Sequence, residues 1–247
     1  MKHYRILDLL LVLFIFGLIA GCSSDKSSEP KEEAPQFVPK TISVPQNMQQ
    51  SSDPMAQMAM NHIMTANAMS NFASFFTPPP LLKTSDALGA TDWEKKWDQD
   101  GMTITLTATE NDTGYQWEVK LDGTSQSSGI TYSNFIFLRI EQNKNGTAGK
   151  FTLYDFENNT TDILMEWVWN TLPGDIFDFV GTFYDNGVPE AKIKIISNPD
   201  NSGELYFFEY INGTFVLEFK AAWTASGSGE WWTYDENGNI VNQGSWS

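Results

Sequence analysis

Met55, Met58 and His62 are the nearest the chain comes to a metal-ligating cluster. On a helix of 3.6 residues per turn they fall within about 60° of one another. Two thioethers and an imidazole make a soft donor set that suits Cu(I). The same residues also read as core, because six of the nine methionines lie between positions 48 and 69 and methionine fills irregular apolar gaps. Packing is the simpler reading, so no metal or other cofactor is expected. A second constellation is aromatic. Trp231, Trp232 and Tyr234 stand near Asp235, Asn237 and Asn239, and flat rings with hydrogen-bonding groups at their edges form a platform for a sugar. Consecutive Trp231 and Trp232 must point to opposite faces of a strand, so one of them meets solvent or a packed helix. Trp167 and Trp169 share a strand face with Met165 and read as a core row.

Bond-making chemistry has few reagents here. The chain has one cysteine, Cys22, and two histidines, His3 and His62. A Ser-His-Asp triad would have to be built around His62 on its helix. No Gly-rich phosphate loop with its lysine and no dinucleotide fingerprint is present. Paired carboxylates of the glycosidase kind are defined by their separation in space, and no acid stands in a distinctive local setting. A non-enzymatic protein is expected.

The N-terminus carries the most specific signal. Lys2 and Arg5 precede an apolar run over residues 9–20, and Ile19, Ala20 and Gly21 stand directly before Cys22. The run is about 12 residues long, against the roughly 20 needed to span a bilayer, so it reads as a signal-peptide core. Ile19-Ala20-Gly21-Cys22 resembles the lipobox of bacterial lipoproteins. That resemblance implies cleavage before Cys22, a diacylglyceryl group on its thiol, and a membrane as partner through the lipid anchor. Ser23 follows where the enterobacterial sorting pattern it resembles has Asp for inner-membrane retention. The implied location is therefore the outer membrane, on its periplasmic face or at the cell surface.

Loss of residues 1–21 removes Lys2, Arg5 and Asp8, taking 15 basic and 31 acidic side chains to 13 and 30, a net charge of −17. Such a field repels nucleic acid, so none is expected as a partner. With Cys22 acylated no thiol is left for a disulfide, and stability must come from an apolar core.

Composition divides the rest. Residues 22–52 hold the lipidated cysteine and a Ser-, Glu-, Pro- and Lys-rich stretch that reads as a disordered tether. Residues 53–77 read as a Met-rich helix, with Asp53 as N-cap, Pro54 in the first turn, and Pro78-Pro79-Pro80 as its stop. Residues 78–92 form a connector, and residues 93–247 an antiparallel β domain. There Tyr115, Trp117, Val119 and Leu121 alternate with Gln116, Glu118 and Lys120, the period of a half-buried strand. Similar runs recur to the C-terminus, separated by turn pairs such as Asn186-Gly187, Asn212-Gly213 and Asn237-Gly238. Short turns join antiparallel neighbours. The expected fold is mostly β: an antiparallel meander of eleven or twelve strands, forming a strongly curved sheet or an up-and-down barrel, with the helix packed in or across it.

In this outline the chain resembles the periplasmic lipoprotein-carrier family and its outer-membrane receptor, whose open barrels shelter acyl chains. The likeness is architectural, covers roughly residues 55–246 and transfers no functional residue. A local stretch, Gly227-Ser228-Gly229-Glu230-Trp231-Trp232-Thr233-Tyr234-Asp235-Glu236-Asn237-Gly238 followed by Gly244-Ser245-Trp246, resembles a MORN-type hairpin. The leading expectation is an outer-membrane lipoprotein that binds an apolar or amphiphilic envelope ligand, or an envelope protein, in its concavity. The alternatives are a surface glycan-binding module resting on Trp231, Trp232 and Tyr234, and a copper-handling protein.

Overall fold

The computed structural model describes residues 37, 40–75 and 92–247. The signal segment 1–21, Cys22, the tether up to residue 36, and most of the connector lie outside the described residues.

Twelve strands follow one another: β1 Asp92–Gln99, β2 Met102–Glu110, β3 Gly114–Thr124, β4 Thr131–Asn143, β5 Ala148–Tyr154, β6 Ile163–Leu172, β7 Ile176–Asp185, β8 Val188–Ser197, β9 Gly203–Ile211, β10 Thr214–Trp223, β11 Gly229–Tyr234 and β12 Ile240–Trp246. Each pairs antiparallel with the next, giving one sheet in the order β1 to β12. Of the two expected forms, the open curved sheet is the one adopted. β1 and β12 are its edges, and it does not close into a barrel.

The turns follow from residue type. At Asp100-Gly101, Asn186-Gly187 and Asn212-Gly213 both residues have positive φ, between 50° and 88°. That is the mirror-image turn whose twist matches the flanking strands, and Asn, Asp and Gly tolerate it.

Alternation sets the two faces. In β2, Met102, Ile104, Leu106 and Ala108 are buried and the threonines between them only half-buried. The inner face is crowded with indoles, and cross-strand glycines make room for them. Trp169 stands opposite Gly149, Trp167 opposite Gly181, Trp223 opposite Gly203, and Trp246 and Trp231 opposite Gly229 and Gly244. A methyl group at Gly203 would lie 2.6 Å from the Trp223 ring, and one at Gly244 would lie 2.7 Å from Trp231. The paired Gly and Trp of the MORN-like stretch are part of this device. Aromatic cover of a strand glycine restores the packing that a missing side chain gives up.

The N-terminal segment closes the inner face. Helix α1, Gln46–Gln50, leads to helix α2, Pro54–Phe75. As expected, Asp53 caps α2: its carboxylate accepts from the Met55 and Ala56 amides at 2.8 and 3.1 Å. The side of α2 that packs on the sheet is Ala56, Ala59, Ile63, Ala66 and Met69, all at most 3% exposed. Small alanines bring the helix backbone close to large rings. Met64, by contrast, is 55% exposed, so the helix is a layer across the hollow and not a rod enclosed within it. The stretch expected as tether, residues 22–52, contributes structure from Phe37 and residue 40 onward. Phe37, Ile42 and Met48 are buried. The Asn67 side chain clamps both backbone groups of Ile42 at 2.7 and 2.8 Å, and the Ser70 hydroxyl donates to the Lys40 carbonyl at 2.6 Å. An average composition hides these few anchoring residues. The packed domain therefore starts before the helix.

Candidate functional site

The hollow comes first, since it was expected to hold a ligand. Phe37 reaches into it, with its ring centroid 6.1 Å from Trp117 on β3 and 5.6 Å from Trp169 on β6. Those strands are three places apart, roughly 14 Å across a flat sheet, and this one side chain bridges the indoles that they carry. Between Phe37, Met69, Phe151, Trp167 and Trp169 a space of about 20 Å³ remains. That holds one water-sized body, and an acyl chain does not fit there.

Of the soft-donor candidates, His62 stacks on Phe207 of β9, with centroids 4.9 Å apart and planes at 19°. Burial between helix and sheet pulls its pKa down to about 4, so the imidazole is neutral at ordinary pH. Met55 and Met58 are half-buried on the same helix. Contact with Phe207 gives His62 a packing role in the hollow.

An open polar groove of about 410 Å³ lies where β3, β4 and β5 end, lined by Asn111, Tyr115, Gln116, Glu141, Asn143 and Lys150 among others. Much of its chemistry is engaged internally. Asn111 accepts from the Thr113 and Gly114 amides, Asn143 ties Thr147 and Ala148, Gln116 donates to Glu118, and Lys150 pairs with Glu166.

The outer face over β8 to β11 is different. Lys192, Lys194, Glu204, Tyr206, Phe208, Lys220 and Trp232 alternate with the buried Ala191, Ile193, Ile195, Leu205, Phe207, Phe219 and Ala221, so they stand on the side away from α2. Register lines them up: Lys194 opposes Tyr206, Tyr206 opposes Lys220, and Lys220 opposes Trp232. The Lys220 ammonium lies 5.1 Å from the Tyr206 ring centroid and 5.4 Å from that of Trp232. Lys192 lies 4.3 Å from each of Phe208 and Phe215. Tyr206 and Phe208 are nearly parallel, with planes at 17° and centroids 6.5 Å apart. Tyr210 meets Phe215 edge-on at 5.1 Å. A cation over a ring face is held by the ring quadrupole.

Charge is local to this patch. The Tyr206 hydroxyl donates to Glu204 at 2.6 Å, and Lys220 pairs with the same carboxylate at 3.2 Å. That hydroxyl, then Lys220, hold Glu204 below the usual carboxylate range. Burial pulls the Lys220 pKa down, but Glu204 outweighs it and the lysine ends above its ordinary value. For Lys192 the balance is reversed: burial, and then the neighbouring Lys194, hold it below the usual lysine range. Among the described residues no carboxylate pairs with Lys192.

The three residues expected as a platform are thus divided. Trp232 stands on the outer face beside Lys220. Tyr234 is half-buried on the same face, since it shares the phase of Trp232 on β11. Trp231 faces inward over Gly244, its indole N–H buried and without a partner. The residues that complete the outer patch, Lys192, Tyr206, Phe208, Phe215 and Lys220, were not singled out from the sequence. The available signal was an aromatic on both phases of one strand, in Leu205-Tyr206-Phe207-Phe208. Chemically the patch offers ring surface, ammonium groups, the Tyr206 hydroxyl and one carboxylate to a bound molecule.

No family model and no curated protein matches the chain. Among solved structures it is similar to a protein of unknown function from Bacteroides fragilis NCTC 9343, at 11% identity over 56% of this chain and 96% of that one, with a TM-score of 0.27.

Proposed function

We propose that the chain is a lipid-anchored, non-enzymatic protein of the bacterial outer membrane whose β domain binds glycan on the outer face of β8 to β11. The observation that supports this is the row Lys194, Tyr206, Lys220 and Trp232, which sets rings and hydrogen-bonding groups side by side on a solvent face. Ring surfaces take the C–H faces of a sugar, and the ammonium groups and Glu204 meet its hydroxyls. An apolar ligand in the concavity has less to rest on, because α2 and Phe37 occupy the space where it would lie. The net charge of −17 from Cys22 onward repels polyanions, so the ligand is an uncharged glycan. The lipobox at Ile19 to Cys22 supports the anchor.

Native gels cast with a mannan, a xylan or a β-glucan test the binding. Slower migration in at least one of them is expected. Equal migration in all, together with lipid co-purifying in native mass spectrometry, returns the concavity to the front. For the anchor, Cys22→Ala abolishes labelling by a palmitate analogue and leaves a longer chain. A variant that is still labelled contradicts it.

A further inference from the structure

The two edges of the open sheet are built differently. β1 reads Asp-Trp-Glu-Lys-Lys-Trp-Asp-Gln, five charges in eight residues, the kind of edge that refuses a new strand. β12 reads Ile-Val-Asn-Gln-Gly-Ser-Trp and has no charge. Ile240 is 53% exposed and Val241 62%, and Asn242 and Gln243 are exposed as well. Among the described residues β12 has a neighbour, β11, on one side only. Its register slips between Thr233 and Tyr234, which makes Val241 an extra residue and leaves 242–246 as the regularly paired run. Within that run the Gln243 amide donates to the adjacent Asn242 side chain at 3.0 Å, a local bond that an incoming strand would replace.

We infer that a second copy of this chain adds along β12, antiparallel and about a two-fold axis. Charge selects which edges of two copies meet. Two copies of residues 22–247, each at −17, repel wherever acids face one another, and the uncharged β12 is a strip where two copies meet without opposing like charges. Antiparallel pairing of a strand with itself is self-complementary and closes at a dimer. Pairing β12 with the β1 of another copy would leave both outer edges open, grow without limit and meet the five charges of β1. The inference is independent of the glycan reading, since it uses neither the outer-face rings nor the anchor.

The test uses residues 22–247, which contain every described residue, with Cys22→Ser so that no acyl chain drives association. Since Cys22 is the only cysteine, any cysteine then introduced is the sole thiol. Facing Cα atoms in an antiparallel pair lie about 4.5–5.5 Å apart, within disulfide reach. Among Val241→Cys, Asn242→Cys, Gln243→Cys and Gly244→Cys, one position at the axis is expected to cross-link to its own copy far more than the others. In sedimentation equilibrium the parent chain is expected at twice the monomer mass, and Asn242→Lys with Gln243→Lys to return it to the monomer mass with its β-sheet circular dichroism and cooperative unfolding retained and its melting temperature no longer dependent on protein concentration. A chain that sediments as a monomer at every concentration overturns the second copy as occupant and leaves β12 to another protein. A dimer indifferent to the two lysines, with no cross-link in the series, places the interface elsewhere and overturns it as well.

Discussion

Phe207 and Phe208 are consecutive residues of the same type, on one strand, and they belong to different surfaces. Phe207 is 8% exposed and stacks on His62 beneath α2. Phe208 stands on the other face, beside Tyr206 and under the Lys192 ammonium. Trp231 and Trp232 repeat the contrast one hairpin later: the first covers Gly244 inside, the second meets Lys220 outside. The same strands, β9 and β11, thus supply both the core and the candidate binding surface, and the pleat alone decides which residue joins which. The consequence is separability. Changes on the inner phase should cost stability, and changes on the outer phase should cost binding at little cost to the fold.

The largest effect is expected from Phe207→Ala. Removing a buried phenylalanine leaves a cavity and typically costs about 3–4 kcal/mol, read as a lower urea midpoint with an unchanged slope. A loss no larger than that of Phe208→Ala would break the contrast between the faces.

His62 sharpens the inner half. Its folded pKa of about 4 lies below the roughly 6.5 of an unfolded histidine. The folded state therefore binds this proton more weakly, and the contribution is fully present above pH 6.5. It is lost as the pH falls through the window from 6.5 to about 4, by up to about 3 kcal/mol. Comparing the pH dependence of unfolding between the parent chain and His62→Leu isolates this term, since other groups titrate in both. Parallel curves over that window would mean that the imidazole is solvated.

Gly203→Ala tests the indole-over-glycine device. The added methyl group meets the Trp223 ring at 2.6 Å and also the Ile196 carbonyl. Overpacking of this kind costs roughly 1–3 kcal/mol, and Trp223→Leu in the same chain should recover part of it. No cost for the alanine would show that the ring moves aside freely.

Much of this architecture was legible in the sequence. Turn pairs such as Asn186-Gly187 and Asn212-Gly213 demand positive φ, and the period-two runs between them located the strands within a few residues. Asp53-Pro54 marked the start of α2 for the same reason: cap chemistry is local. Three things were not legible. The face of α2 that packs is centred on Ala56, Ala59 and Ile63, and it cannot be told from the Met-lined arc beside it until a partner surface is present. Phe37 and Ile42 anchor a stretch whose mean composition reads as tether. The patch of Lys192, Tyr206, Phe208 and Lys220 is made by strand register, which joins residues 28 positions apart and which turn chemistry alone does not fix.

The smallest expected change in stability carries the most functional weight. Phe208→Ala with Trp232→Ala removes two half-buried outer rings, and the pair should lower stability by roughly 1–2 kcal/mol, within the range of cross-strand pair energies. Measured together on this double variant, melting temperature and migration in the polysaccharide gel that slows the parent chain test the central claim most directly. The account predicts a small drop in melting temperature and complete loss of retardation. A variant retarded as strongly as the parent chain, with its fold intact, would contradict it and remove the outer face of β8 to β11 as the binding surface.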